Sequence, residues 1–258
     1  MQSIEKIIAE DPGARGVCHL AQYGSLLAAC EGTKHARKVA IVTGFFLPRL
    51  KACETDGPPG AMMLARAYRR LGASVEFVTS QACFPFIHDL GVTTRLASDA
   101  TDHYDAVIAI EAVGRAADGC AYTSRRDNIT ELAGDLDAWV EYQHSQGAFV
   151  VGIGDGGNEI GMGKISDALS TTNLAPIACR VACDSLLVCG VSNWGGYALA
   201  GVLCGHAVLD PEQACCDLER TMESGCLNAI GDGAALAVDG FDWPVHEDIL
   251  LRIRECLL

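Results

Sequence analysis

The chain has 258 residues, half of them hydrophobic, 28 glycines and a net charge of -14 from 19 basic and 33 acidic side chains. That length supports one large α/β domain or two small ones with a substantial core, and the composition excludes a disordered chain. The charge excludes nucleic acid and anionic membranes as partners, since a field of that sign repels both; an anionic small molecule stays open, because a metal or an arginine pair can reverse the sign inside a cleft.

Ile4 to Glu31 reads as two amphipathic helices broken by Asp11-Pro12-Gly13, a helical extension over residues 1–37. Val39-Ala40-Ile41-Val42 is the first strand, and its unbroken apolar run suggests burial on both faces, as in a parallel sheet. Pro58-Pro59 suits the first turn of a helix, predicted over Ala61 to Leu71 and ending at Gly72. Ser74 to Thr79 is a second strand, with a short helix from Cys83 to Leu90 after it. Asp105 to Ile110 is a third, ending on Glu111, and Ile129 to His144 is a helix.

Phe149 to Ile153 is the fourth strand and runs into V-V-G-I-G-D-G-G-N-E-I-G-M-G at 150–163. Glycines beside an acid and an amide predict a strand that stops abruptly, a loop that closes on something small, and a helix from Asn158 to Ala168. The plainer reading is a tight turn with Asp155 or Asn158 as the helix cap. Ser185 to Leu209 carries no formally charged residue, but Ser192-Asn193-Trp194-Gly195-Gly196 cuts it into a strand (Ser185 to Cys189) and a helix (Tyr197 to Ala207), each too short to cross a bilayer. That apolar helix could serve a homo-oligomer as readily as a core. Helices over Pro211 to Ser224 and His246 to Leu257 complete the chain.

Strands alternating with helices predict a single α/β domain over 1–258, with a mostly parallel, doubly wound sheet flanked by helices. The 13 cysteines include no C-x-x-C pair and no zinc-ligand spacing. An odd count and an acidic N-terminus without a signal-peptide pattern predict reduced thiols in a cytoplasmic protein. No G-x-x-x-x-G-K-[ST] or G-x-S-x-G is present, and G-x-G-x-x-G appears only loosely over 152–157, so neither nicotinamide nor flavin is expected.

In such a sheet ligands bind at the carboxyl ends of the strands. Those ends carry Thr43-Gly44, Glu111, Asp155 with Asn158 and Glu159, and Asn193; the adjoining loops add Glu54, Asp56, Arg115 and Arg125. Asp56 as a turn residue, Arg125 as solvated surface and Asn193 as a helix cap are the ordinary readings of each. Their convergence predicts a divalent cation, Mg2+ or Mn2+, held by Asp155 and Glu159, with Glu54 or Glu111 beside them, since clustered carboxylates otherwise repel.

The strings T-G-F at 43–45, E-T-D-G-P-P-G-A at 54–61, I-E-A-V-G-R at 110–115, D-G at 118–119, G-I-G-D-G-G-N-E-I-G-M-G at 152–163 and S-N-W-G-G at 192–196 together resemble the D-glutamate cyclase C-terminal-domain family, over roughly residues 38 to 240. The resemblance implies interconversion of D-glutamate and 5-oxo-D-proline, a small amino-acid-like substrate, and a separate hydro-lyase-like domain as companion. The chemistry of that reaction then suggests roles. Asp155 with its cation polarises the γ-carboxyl group, Glu111 or Asp56 takes the ammonium proton, and Arg115 or Arg125 clamps the α-carboxylate. Gly156 and Gly157 offer N–H groups to the oxyanion, while Thr43, Gly44, Asn158 and Asn193 complete the substrate contacts. A metal-dependent phosphohydrolase or nucleotide-binding protein, and a non-catalytic subunit, are the competing expectations.

Overall fold

Aliphatic strands buried on both faces need a layer of helices on each side, and the chain builds both. The structure, a computed structural model, describes residues 1–231 and 233–258. In chain order the helices are α1 (Gln2–Ile8), α2 (Ser25–Thr33), α3 (Pro58–Arg70), α4 (Phe84–Ile87), α5 (Thr130–Ala133), α6 (Leu136–Ser145), α7 (Ser166–Leu169), α8 (Ser192–Cys204), α9 (Pro211–Glu223) and α10 (Trp243–Glu255). The strands are β1 (Lys38–Thr43), β2 (Phe46–Leu47), β3 (Ala52–Cys53), β4 (Ser74–Thr79), β5 (Thr93–Leu96), β6 (Ala106–Ile110), β7 (Phe149–Gly154), β8 (Ser185–Val188), β9 (Ala237–Val238) and β10 (Phe241–Asp242).

Six strands form one parallel sheet in the order β5-β4-β1-β6-β7-β8. Alternate side chains explain the continuous apolar runs. Val39 and Ile41 join one core with Ile108, Ile153 and the helices α3 and α8, while Ala40 and Val42 join a second core with Val107, Trp139 and Val188. The chain leaves β1 toward β4 and β5 on one side and returns to β6, β7 and β8 on the other. The order reverses between β1 and β6, and the crevice beyond their carboxyl ends is where such a sheet binds ligands.

The elements depart from the sequence reading in several places. The second N-terminal helix begins only at Ser25; residues between it and α1 run as a strap across the carboxyl end of β8, held where Gly190 N–H donates to the Ile8 carbonyl (2.8 Å). The helices packed behind it each bury one face, with Ile4, Ile8 and Leu26 in the core. Gly134, at φ 64, splits the expected Ile129–His144 helix into α5 and α6. The helix expected from Asn158 to Ala168 does not form: Gly157 and Gly161 take φ of 90 and 107, leaving a loop, a 3-10 turn at Met162–Ile165 and the short α7. β5 lacked a clear strand signal and pairs on the sheet edge.

Helix α8 starts five residues earlier than its apolar pattern suggested, and Ser192 through Gly201 are all buried. Tyr197 to Gly201 pack into the chain's own core, and Val202 to Cys204 are half-buried. The helix packs against α3 with almost no side chain between them: a Cβ on Gly196 would lie 2.9 Å from the Gly60 Cα. The two helix N-termini are thereby brought side by side at the crevice. Among the described residues no helix is long and apolar enough to cross a membrane, and all 13 cysteines are free thiols.

Candidate active site at the carboxyl ends of the central strands

Helices α3 and α8 present unpaired N–H groups where they meet, and each is capped by a side chain from the other's segment. The Asp56 carboxylate accepts from Ser192 N–H and Asn193 N–H at the start of α8, both at 2.8 Å, and from Gly57 N–H at 2.9 Å. In return Asn193 Oδ1 accepts from Gly57 N–H (3.1 Å) and Gly60 N–H (2.8 Å), and its Nδ2 donates to the Thr55 carbonyl (3.1 Å). This reciprocal cap consumes the Asn193 amide. Asn193 is thus a structural tie between helices, not the substrate contact expected of it.

Glu111 follows β6 directly. It is buried and held at φ 45, a left-handed conformation that costs a bulky residue energy and marks functional positions. Its Oε2 accepts from the Ser192 hydroxyl at 2.6 Å. Gly57, at φ 96, is needed beside it, because a Cβ there would lie 2.8 Å from the Glu111 Cβ and 2.9 Å from the Thr43 hydroxyl.

Asp155, fully buried beyond β7, is bound from an unexpected direction. Arg15, on the N-terminal strap, donates from Nη1 to Asp155 Oδ1 (2.7 Å) and pairs through Nη2 with Asp239 Oδ1 (2.6 Å). Ligand oxygens of Asp56, Glu111 and Asp155 lie within 4.8 Å of one another, an acidic triad that could bind a metal ion. Of the ligands expected, Asp155 and Glu111 stand in this triad, with Asp56 beside them, while Glu159 and Glu54 lie outside it.

Glu159 is occupied elsewhere. Its carboxylate folds back on its own loop and accepts from Gly156 N–H (2.7 Å) and Gly157 N–H (2.8 Å). The glycines make room for this, since a Cβ on Gly154 would lie 2.8 Å from Glu159 Oε2. The two N–H groups expected to hold substrate are thus already paired, which corrects the role read for Gly156 and Gly157. Asn158 donates to the Tyr122 carbonyl (2.7 Å) and Gly44, at φ 107, faces Cys83 and Thr79.

A cavity of about 480 Å³ opens over these groups, lined among others by Arg15, Glu54, Glu111, Arg125, Glu159 and Asp239. Arg125 stands at its rim and forms no hydrogen bond or ion pair through its guanidinium among the described residues. Arg115 is absent from the lining. Its guanidinium is already paired with Asp137, with Asp135 (2.8 Å) and with the Gly134 carbonyl (3.0 Å). Thr43 Oγ1, Glu54 Oε1, Asp155 Oδ2 and Asp239 Oδ2 are buried without a hydrogen-bond partner among the described residues. The three carboxylate oxygens among them carry a cost that a bound cation or donor would relieve.

Burial is the first cause that lifts Glu54, Asp56, Glu111, Asp155 and Glu159 above the ordinary carboxylate range. Asp239 adds to the rise at Glu54 and Asp56, whereas Arg15 opposes it at Asp155. Asp56 is pushed up to about 8. A carboxyl group raised on folding stabilises the fold fully below its unfolded value and loses that contribution as pH rises through its folded one. The melting temperature in EDTA should accordingly fall as pH climbs from about 4 to about 8. One buried ring opposes this trend: His246, whose Nδ1 accepts from the Trp194 indole (3.0 Å), is held below its usual value by burial. A saturating divalent cation should flatten the curve; a melting temperature that rises across the window would refute the repulsion argument.

Arg15 and Asp239 were not identified from sequence. Asp239-Gly240 is a two-residue hairpin turn between β9 and β10, at φ of 55 and 82. The D-G signal for that turn was present in the chain, but nothing local aims it at Asp155. Arg15 lies 140 residues from its partner, in a stretch with no periodicity.

A family described as D-glutamate cyclase-like, C-terminal, matches residues 4–254, so the match begins within α1. The human protein named D-glutamate cyclase, mitochondrial, is 35% identical over 236 residues, covering 79% of this chain and 38% of that protein. The chain therefore spans well under half the length of this relative. A match over nearly the whole chain, with the glycine loop and the acidic triad inside it, places this protein in the D-glutamate cyclase-like C-terminal family.

Proposed function

We propose that the chain is a D-glutamate cyclase-like lyase that interconverts D-glutamate and 5-oxo-D-proline, working with Mg2+ or Mn2+. Family membership supports the reaction class. The observation that carries the site assignment is Glu111, a buried carboxylate in a strained conformation on the cavity wall. Hard carboxylate oxygens suit either cation, and the orphaned Asp155 Oδ2 within the triad fits one. Asp56, Glu111 and Asp155 would hold it, and it would supply Lewis-acid polarisation of the γ-carboxyl group.

In cyclisation the α-nitrogen bonds to the γ-carbon, one γ-oxygen leaves as water, and two protons pass from nitrogen to that oxygen. Net charge does not change, so one group can accept a proton and return it. Glu111 has one oxygen on Ser192 and a place on the cavity wall, whereas Asp56 spends both oxygens on the start of α8. Arg125 at the rim is the clamp for the α-carboxylate. The reacting groups share one molecule, so holding them in line is most of the task.

The phosphohydrolase reading loses its main support, because the glycine-loop N–H groups that would grip phosphate are taken by Glu159. The test is to incubate the purified chain with D-glutamate, and separately with 5-oxo-D-proline, with Mg2+ or Mn2+ and with EDTA. Interconversion that EDTA abolishes is the expected result. A ligand-induced rise in melting temperature without turnover would favour a binding subunit that needs a hydro-lyase-like companion domain. Phosphate release from generic esters, indifferent to D-glutamate, would overturn the cyclase reading.

A further inference from the structure

The acidic triad leaves part of the cavity's negative charge unexplained. Glu54 is only 7% exposed, lines the cavity, and its carboxylate accepts no hydrogen bond among the described residues. Asp239 is 6% exposed, lines the same cavity, and gives one oxygen to Arg15 while Oδ2 has no partner. Neither belongs to the triad. Two carboxylates with orphaned oxygens, buried and bordering the same space, are costly to keep unless something positive and hydrogen-bonding fills it.

We propose that Glu54 and Asp239 form a seat for the substrate's primary ammonium group, separate from the cation position at Asp56, Glu111 and Asp155. The inference rests on the amino-acid substrate read above. An ammonium group carries three N–H donors and no acceptor, matching a site built only of acceptors. A second divalent ion fits less well. It needs six or more oxygen ligands, and Arg15 already takes one of the Asp239 oxygens. What remains is Asp239 Oδ2 and the Glu54 carboxylate, enough acceptors for the donors of one ammonium group.

The seat also separates substrate from product. The open-chain amino acid carries the ammonium group, and the lactam nitrogen of 5-oxoproline is uncharged with one N–H. Ring closure removes the group that Glu54 and Asp239 hold, so the product leaves a site that retained its substrate. Neutralising either carboxylate should weaken D-glutamate and leave ligands without an amine untouched.

The experiment is calorimetric titration of the purified chain with D-glutamate, glutarate and 5-oxo-D-proline, with Mg2+ and again in EDTA. Glutarate has the same carbon chain and both carboxylates but no amine. Wild type should bind D-glutamate at least tenfold more tightly than glutarate. Glu54→Gln, which breaks no existing hydrogen bond, should lose at least tenfold for D-glutamate and nothing for glutarate, and Glu54→Asp should restore part of the loss. Equal binding of D-glutamate and glutarate by wild type, or an equal loss of both in Glu54→Gln, would overturn the seat while leaving the cyclase reading standing. No binding of any of the three ligands by wild type would overturn both.

Discussion

Asp155→Asn is expected to lower D-glutamate cyclisation by about 100- to 1,000-fold, the usual cost of removing one electrostatic contributor to an acyl-transfer site. Asp155 has no exposed surface, gives Oδ1 to Arg15 and leaves Oδ2 free within the triad. Asparagine keeps the size of the side chain and can still accept from Arg15, so the fold should survive. What it loses is one of the three anionic ligands. Bound Mn2+, read by electron paramagnetic resonance, should fall with turnover. The metal-free variant should melt no lower than wild type, because a buried charge amid like charges has been removed. Unchanged metal content and unchanged turnover would sink the assignment of Asp155.

The largest loss of stability is expected from Gly190→Ala. Gly190 follows β8, and a Cβ there would lie 1.8 Å from the Glu10 carbonyl oxygen. That neighbour is backbone, so it cannot rotate away; the strap that carries Arg15 must lift. Overpacking of this kind costs roughly 3 kcal/mol, or about 6–12 °C in melting temperature for a chain of this size. The lifted strap would also draw Arg15 from Asp155 and Asp239 and reduce activity. Gly72→Ala is the control. It sits at φ 84 with open space around it, so only backbone strain applies, about 1–2 kcal/mol. Equal melting temperatures in the two variants would show that the strap yields freely.

Much of the candidate site was legible before the fold was known, because strand ends can be read locally. An apolar run that stops at a glycine or an acid marks the carboxyl end of a buried strand. Thr43, Glu111 and Asp155 were placed on that ground, and all three lie where β1, β6 and β7 end. Asp56 came from the E-T-D-G-P-P-G string, whose prolines predicted the start of α3 and whose glycine permits the close approach of Glu111. The family resemblance rested on the same strings, and the family match covers all of them.

Partner choice was not legible. Glu159 and Asp155 stand four apart and suggested joint metal binding; with Gly157 at φ 90 the loop turns Glu159 onto its own N–H groups instead. Arg115 had the right charge beside the right motif, yet Asp135 and Asp137 on the following helical segment hold it away from the cavity. Asn193 suggested a substrate contact or a cap for its own helix and proved to cap α3.

By itself the sequence determined the parallel α/β sheet, the strand ends that gather the acids and the family to which the chain belongs, because periodicity and short glycine-bearing strings are properties of neighbouring residues. Only the tertiary structure decided that Arg15 enters the acidic cluster, that Asp239 joins it and that Glu54 has no hydrogen-bond partner among the described residues. Those outcomes depend on distances between residues far apart in the chain, and an ion pair forms wherever folding brings two charges together at low dielectric, whatever their separation in sequence.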